Sequence, residues 1–115
     1  MPQKLTTDSV SEFLTKRPFS VIHIDASWDG YRKAVSDRTE KLESSLQDVS
    51  FGYLDCDEEQ AYAVEIKLVN IPCVAYYTGT TLVAKVIGIR QDILRNLDMV
   101  RNGQIPDSSN TLSRG

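Results

Sequence analysis

The chain has 115 residues, of which 41% are hydrophobic and 25% charged, and its formal net charge is -3. These values are typical of one soluble globular domain. No stretch approaches the roughly 20 consecutive apolar residues that span a bilayer, so no membrane association is predicted. The basic residues are dispersed among acidic ones, which argues against a nucleic-acid partner. The N-terminal segment has no apolar signal core, and we expect a cytoplasmic location.

The first half of the chain predicts two strands and two helices. Residues 3–6 fit a short edge strand, and Ser9 with Glu12 matches a capping box for a helix that ends before Pro18. Residues 19–25 form a nearly continuous apolar run, which indicates a strand buried on both faces of a sheet. Apolar side chains at helical spacing then predict a helix over residues 31–46.

The second half predicts three strands and two helices. Strands are expected at 49–55, 73–77 and 81–87, the last two joined by a hairpin turn at 78–80. A helix capped by residues 57–60 lies between the first two strands, and another covers about 90–101. The side chains expected to face the core from these two helices are Ala61, Val64, Ile66, Ile93, Leu94, Leu97 and Val100. Gly103 ends the last helix.

The predicted order is therefore βαβαβαββα. Strands separated by helices are expected to be parallel, through right-handed crossovers, and the final hairpin adds an antiparallel edge. This order predicts an α/β fold with a central mixed sheet and helices on both faces. We expect one domain over residues 1–103 and a disordered tail over 104–115, which is polar and has too little apolar surface to order itself.

Four segments resemble the thioredoxin-like superfamily when they are taken in order. The strand at 19–25 runs into Trp28-Asp29-Gly30-Tyr31-Arg32 at the head of a helix, where the family has Trp-Cys-Gly-Pro-Cys. Ile71-Pro72 resembles the family's Ile-Pro-Thr segment, in which the proline is cis, and Gly88 resembles the glycine after the last strand. The resemblance covers about residues 5–103 and implies the thioredoxin fold.

The same resemblance implies a function without dithiol chemistry. The family's redox site needs a thiolate nucleophile and a second, resolving cysteine, and neither Asp29 nor Arg32 can replace them. We therefore expect a redox-inactive binding or adaptor module that holds an extended protein segment in the family's groove, with no cofactor and no metal. The binding residues that the resemblance implies are Trp28, Asp29, Tyr31, Arg32, Ile71, Pro72 and Gly88. The partner and the oligomeric state are not predicted.

Several of these residues also have structural explanations. Asp29 is well placed to cap the helix, and it could alternatively bind a partner directly. Arg32 stands at the unfavourable end of the helix dipole, which favours a role in binding an acidic group. Trp28 is expected to be partly exposed, at a contact surface. His23, where many thioredoxins carry a buried carboxylate, is expected to be a buried hydrogen-bonded histidine; with Asp25 and Asp29 or Asp55 it makes only a weak metal candidate.

Cys56 and Cys73 have neither a Cys-x-x-Cys nor a metal-ligand spacing. In a thioredoxin-like sheet their strands flank the central strand, about 9–10 Å apart, which is too far for a disulfide. We therefore predict two free thiols. Cys73 follows the proline and is expected to be a small buried hydrophobe. The alternative function is a monothiol redox protein or sensor in which Cys73 forms mixed disulfides, for example with glutathione.

Overall fold

The computed structural model describes residues 3–26, 39–88 and 91–106. In chain order its strands and helices are β1 (Gln3–Lys4), α1 (Val10–Phe13), β2 (Phe19–Asp25), α2 (described over 39–45), β3 (Val49–Asp55), α3 (Gln60–Glu65), β4 (Cys73–Thr78), β5 (Thr81–Ile87) and α4 (Ile93–Arg101). The predicted order of strands and helices is confirmed. The first 8 residues of the predicted 31–46 helix lie outside the described residues.

The strands of the described chain form one five-stranded sheet in the order β1-β3-β2-β4-β5. β1 and β2 pair parallel with β3, and β4 and β5 form the expected antiparallel hairpin. The central position of β2 explains its apolar sequence, because a strand with neighbours on both sides and helices on both faces is shielded from water. The sheet is mixed, as predicted.

The direction of β4 corrects one prediction. β4 pairs antiparallel with β2, with Ile24 opposite Cys73, although helix α3 separates β4 from β3. Since β3 ends beside the end of β2, the connection over residues 56–72 leaves and re-enters the sheet at the same edge. A helix of six residues is about 9 Å long, whereas β4 spans about 20 Å. Helix α3 is therefore too short to carry the chain back along the sheet.

Each face of the sheet carries its own hydrophobic core. On one face, α1 and α3 pack on side chains of β2, β3 and β4; the buried members include Phe13, Ile22, Leu54, Tyr62 and Tyr77. On the other face, α4 and the end of α2 cover a second set that includes Val21, Phe51, Tyr76, Leu97 and Val100. The helices therefore lie on both faces of the sheet, as predicted.

The predicted helix caps are wrong in two places. Ser9 precedes α1, but its side chain makes no cap bond; its Oγ accepts from the N–H of Thr6 instead, at 2.8 Å. No side chain caps α3 either. The Asp55 carboxylate accepts from the backbone N–H of Asp57 at 2.8 Å, which turns the chain before α3 begins. Short polar side chains often make such local bonds in place of caps.

Three side chains predicted to face the core are exposed, and Ala61 in α3 is one of them. Val64 in α3 is 77% exposed and Leu94 in α4 is 44% exposed. Both helices are short and touch the sheet along a narrow stripe, so a residue one position away from that stripe points to solvent. None of the helices in the described ranges is long and apolar enough to cross a bilayer. Most of the predicted C-terminal tail lies outside the described residues.

Candidate functional site

The loop before β4 carries two of the predicted binding residues, Ile71 and Pro72. The Ile71–Pro72 peptide bond is cis, as the family resemblance implies, and both residues are half-buried. The pairing of Cys73 with Ile24 places this loop beside the carboxyl end of β2. The predicted Trp28 turn follows that strand directly in the sequence.

Gly88 is joined to this loop by a backbone hydrogen bond. Its N–H donates to the carbonyl oxygen of Pro72 at 2.8 Å, which extends the β4–β5 ladder by one pair. The φ angle of Gly88 is +118°, a conformation that favours glycine because a Cβ atom would be strained there. Ile71, Pro72 and Gly88, three of the predicted binding residues, are thus brought together, and we call them the rim.

The backbone N–H of Ile71 is already bonded within the chain. It donates to Oδ1 of Asn70 at 2.9 Å, and this contact is exposed. Such a bond is worth about 0.5–1.5 kcal/mol, so a competing acceptor can displace it. Any segment that bonds to the Ile71 N–H must therefore first displace the Asn70 side chain.

The other four predicted binding residues lie outside the described residues. They are Trp28, Asp29, Tyr31 and Arg32, in the segment between Ala26 and Thr39. Asp29 as a helix cap, Arg32 as a partner for an acidic group and Trp28 as an exposed contact therefore stay predictions.

Cys73 is a buried thiol. It is 1% exposed and packs in the core beneath α1 and α3. Burial raises its pKa to about 11, against a weaker opposing effect of the Lys85 ammonium group. A thiol must ionise to attack a disulfide, so Cys73 is poorly suited to thiol exchange near neutral pH.

Cys56 differs from Cys73 in being half-buried, in the turn after β3. Burial raises its pKa, and the carboxylates of Asp57 and Asp55 raise it further. Both cysteines are free thiols and β2 lies between the two strands, as predicted. Cys56 packs at the margin of the α1–α3 core.

Buried polar side chains lie near the carboxyl ends of the neighbouring strands β2 and β3. His23 is buried, as predicted, and two residues further on Asp25 lies opposite Asp55 in the parallel register. Both carboxylates are buried. Across the described ranges, however, no three His, Cys, Asp or Glu side chains are grouped as a metal ion would need.

The structure adds two residues that the sequence did not single out. Asn70 holds the Ile71 N–H, and Gln91, whose side chain is buried after β5, contacts the carbonyl oxygen of Gly88 at 2.9 Å. Gln91 stands between charged residues in the sequence, where nothing in the pattern marks it as buried. The bond of Asn70 could have been predicted from the sequence, because the short amide side chain of asparagine commonly bonds to nearby backbone groups.

The sheet order, the two helical layers and the cis-proline loop define a thioredoxin fold. The sequence profile of the thioredoxin family matches residues 2–101, and the chain belongs to that family. No curated protein matches the sequence significantly.

Solved thioredoxin structures show the same fold at low sequence identity. A thioredoxin from Halobacterium salinarum is 20% identical, with a TM-score of 0.76 over 91% of this chain and 94% of that one. Thioredoxin f from spinach chloroplast is 24% identical, with a TM-score of 0.73 over 87% of this chain and 84% of that one. Mitochondrial thioredoxin 3 from Saccharomyces cerevisiae is 25% identical, with a TM-score of 0.66 over 89% and 92% of the two chains.

Proposed function

We propose that this thioredoxin-family chain is a redox-inactive binding or adaptor module. Its groove lies between the Trp28–Arg32 turn and the rim, and it holds an extended, acidic or mixed-polarity segment of a partner protein. Trp28 supplies apolar contact, Arg32 a charge-assisted bond, and the backbone of Ile71 pairs with the partner backbone. None of these contacts requires a cysteine.

The observation that carries the proposal is the rim itself. The Ile71–Pro72 loop and Gly88 are joined by a 2.8 Å hydrogen bond beside the end of β2, and this connected backbone supports a groove at that position. Little energy is then lost on ordering this backbone when a segment binds. The backbone groups of Ile71 supply pairing of the kind that a β-strand partner uses, because main-chain bonds give affinity without a specific side chain.

The alternative function, a monothiol redox protein using Cys73, has less support. A reactive cysteine is exposed and has a lowered pKa. Cys73 is 1% exposed and its pKa is raised to about 11. The pKa of Cys56 is raised as well, which disfavours Cys56 as the reactive thiol in place of Cys73.

The groove is tested by selecting peptides from a random linear library displayed on phage and comparing their affinity for three proteins. These are the wild type, the Trp28→Ala, Arg32→Glu double variant, and a Leu94→Ala control that alters an exposed apolar residue on α4. Truncating a central Trp costs about 2 kcal/mol or more, so the double variant should bind at least about 30-fold more weakly. The control should bind like the wild type.

The opposite order of peptide affinities among the three proteins would contradict the groove proposal. Peptides that bind the double variant as tightly as the wild type, but lose affinity for the Leu94→Ala protein, would move the binding surface to α4. Failure to select any peptide that shifts the amide signals of Ile71 and Gly88 would also count against the proposal.

A further inference from the structure

A buried polar network connects helix α4 and strand β4 to the rim. At its centre is Gln91, which is 4% exposed and lies between β5 and α4. Its Nε2 donates to the carbonyl oxygens of Val86 and Gly88, both at 2.9 Å. Both amide protons of the Gln91 side chain are therefore used to hold the end of β5 and the glycine that follows it.

The acceptor oxygen of Gln91 is held just as firmly. The hydroxyl of Tyr76, a fully buried residue of β4, donates to Gln91 Oε1 at 2.5 Å. Asn96 in the first half of α4 donates its Nδ2 to the Tyr76 hydroxyl at 3.1 Å and lies 3.4 Å from the same Gln91 oxygen. Two side chains, Tyr76 from β4 and Asn96 from α4, thus fix the orientation of the Gln91 amide group.

The network continues through Gly88 to the proline loop. Gly88 accepts from Gln91 through its carbonyl group and donates to the carbonyl oxygen of Pro72 through its N–H at 2.8 Å. A glycine at φ +118° has no side chain to restrict it, so its peptide groups must be fixed from outside. The Gln91 side chain restrains the carbonyl group of Gly88, and the hydrogen bond from the Gly88 N–H then restrains the carbonyl group of Pro72.

We propose that Gln91 is a positioning residue for partner binding: its buried amide, oriented by Tyr76 and Asn96, fixes Gly88 and through it the cis-proline loop. This inference rests on the proposed groove function, and it identifies the Gln91 hydrogen-bond network as what keeps the rim in its binding geometry. A satisfied buried network is rigid, because each polar group loses a bond if any other member turns away. The rim is thereby pre-ordered for an extended segment, which reduces the entropy lost on binding.

The test compares Gln91→Met, which removes both donors at similar volume, with Tyr77→Phe. The control also removes a buried side-chain hydrogen bond, because the Tyr77 hydroxyl bonds to the Tyr62 hydroxyl at 2.7 Å in the opposite core, near the other end of β4. Amide hydrogen exchange is measured for Gly88 and for core amides of β2. A peptide selected from the random linear library on the wild-type protein is then titrated into each variant. Tyr76→Phe serves as a milder second variant should Gln91→Met fold poorly.

We expect Gln91→Met to speed exchange at the Gly88 amide about tenfold relative to the β2 amides, and to weaken the peptide about tenfold. Tyr77→Phe should change neither ratio, even where it lowers the melting temperature equally. Unchanged Gly88 exchange in Gln91→Met would overturn the proposal, and so would faster exchange with unchanged peptide affinity. A library that yields no rim-binding peptide would reject the groove function and the binding half of this inference, whereas the exchange ratio would still decide whether Gln91 holds the rim.

Discussion

The reactivity of Cys73 separates the two candidate functions most simply. The reaction is followed in a Cys56→Ala variant, in which Cys73 is the remaining thiol. With a pKa of about 11 instead of the ordinary 9.0, the thiolate fraction at pH 7.5 falls about 100-fold. A thiolate of higher pKa is a better nucleophile, which restores about tenfold and leaves a net loss of roughly tenfold.

Access to Cys73 adds a second factor. The side chain is 1% exposed, so a reagent reaches the sulfur only when the structure opens locally. An opening free energy of about 3 kcal/mol lowers the rate by roughly 100-fold. The two factors do not multiply, because burial raises the pKa only in the closed state and local opening removes that burial. The native protein should therefore react with an aromatic disulfide reagent on the order of 100-fold more slowly than the urea-unfolded chain.

The assay follows the absorbance of the released thiolate at pH 7.5 with and without urea, and a Cys56→Ala, Cys73→Ala variant provides the blank. A native rate within about tenfold of the unfolded rate would refute the reasoning from burial and would favour the monothiol alternative.

Four further predictions concern stability, turnover and binding. Because the Cys73 pKa is higher folded than unfolded, its stability contribution is intact below pH 9 and is lost between pH 9 and pH 11, by about 3 kcal/mol in total. Urea unfolding at pH 8 and pH 10 should reveal about half of this loss in the Cys56→Ala background, and Cys73→Ala should remove the pH dependence. Gly52→Ala should cost about 1–3 kcal/mol, because its Cβ would lie 2.8 Å from Cδ1 of the fully buried Leu5 and 3.1 Å from the carbonyl oxygen of Gln3. An unchanged melting temperature, next to an exposed Thr80→Ala control, would contradict that packing. Reduction of insulin with dithiothreitol should not exceed the rate without protein; turnover that survives Cys73→Ala would disprove this. Asn70→Ala should tighten peptide binding by up to about 1 kcal/mol in calorimetry by freeing the Ile71 N–H, whereas weaker binding would indicate that Asn70 itself contacts the peptide.

The sequence predicted most of the fold because its signals were local and periodic. The apolar run at Phe19–Asp25 could only be a central strand, and Thr78-Gly79-Thr80 between two apolar segments favoured a hairpin. The direction of β4 was not predictable from the alternation of helices and strands. It depends on the length of α3, which is only six residues and which the sequence pattern did not define.

The site was predicted through family resemblance, and only at positions where a motif marks it. Ile71, Pro72 and Gly88 are brought together by a cis peptide bond and a positive φ angle, and proline and glycine are the residue types that indicate such geometry in a sequence. Gln91 carries no such signal, since its role arises from long-range bonds to Tyr76 and to the end of β5. Polar residues that become buried through tertiary contacts look like surface residues in a single sequence.

Peptide binding by a protein without any thiol shows directly whether the groove works without cysteines. The Cys56→Ala, Cys73→Ala variant and the Trp28→Ala, Arg32→Glu variant are each checked for folding by circular dichroism, and their affinities for the selected peptide are measured by calorimetry. If the chain is a binding module, the cysteine-free protein keeps the wild-type affinity within about threefold, and the groove variant loses at least about 30-fold. Loss of binding in the cysteine-free protein, with full binding in the groove variant, would contradict that function.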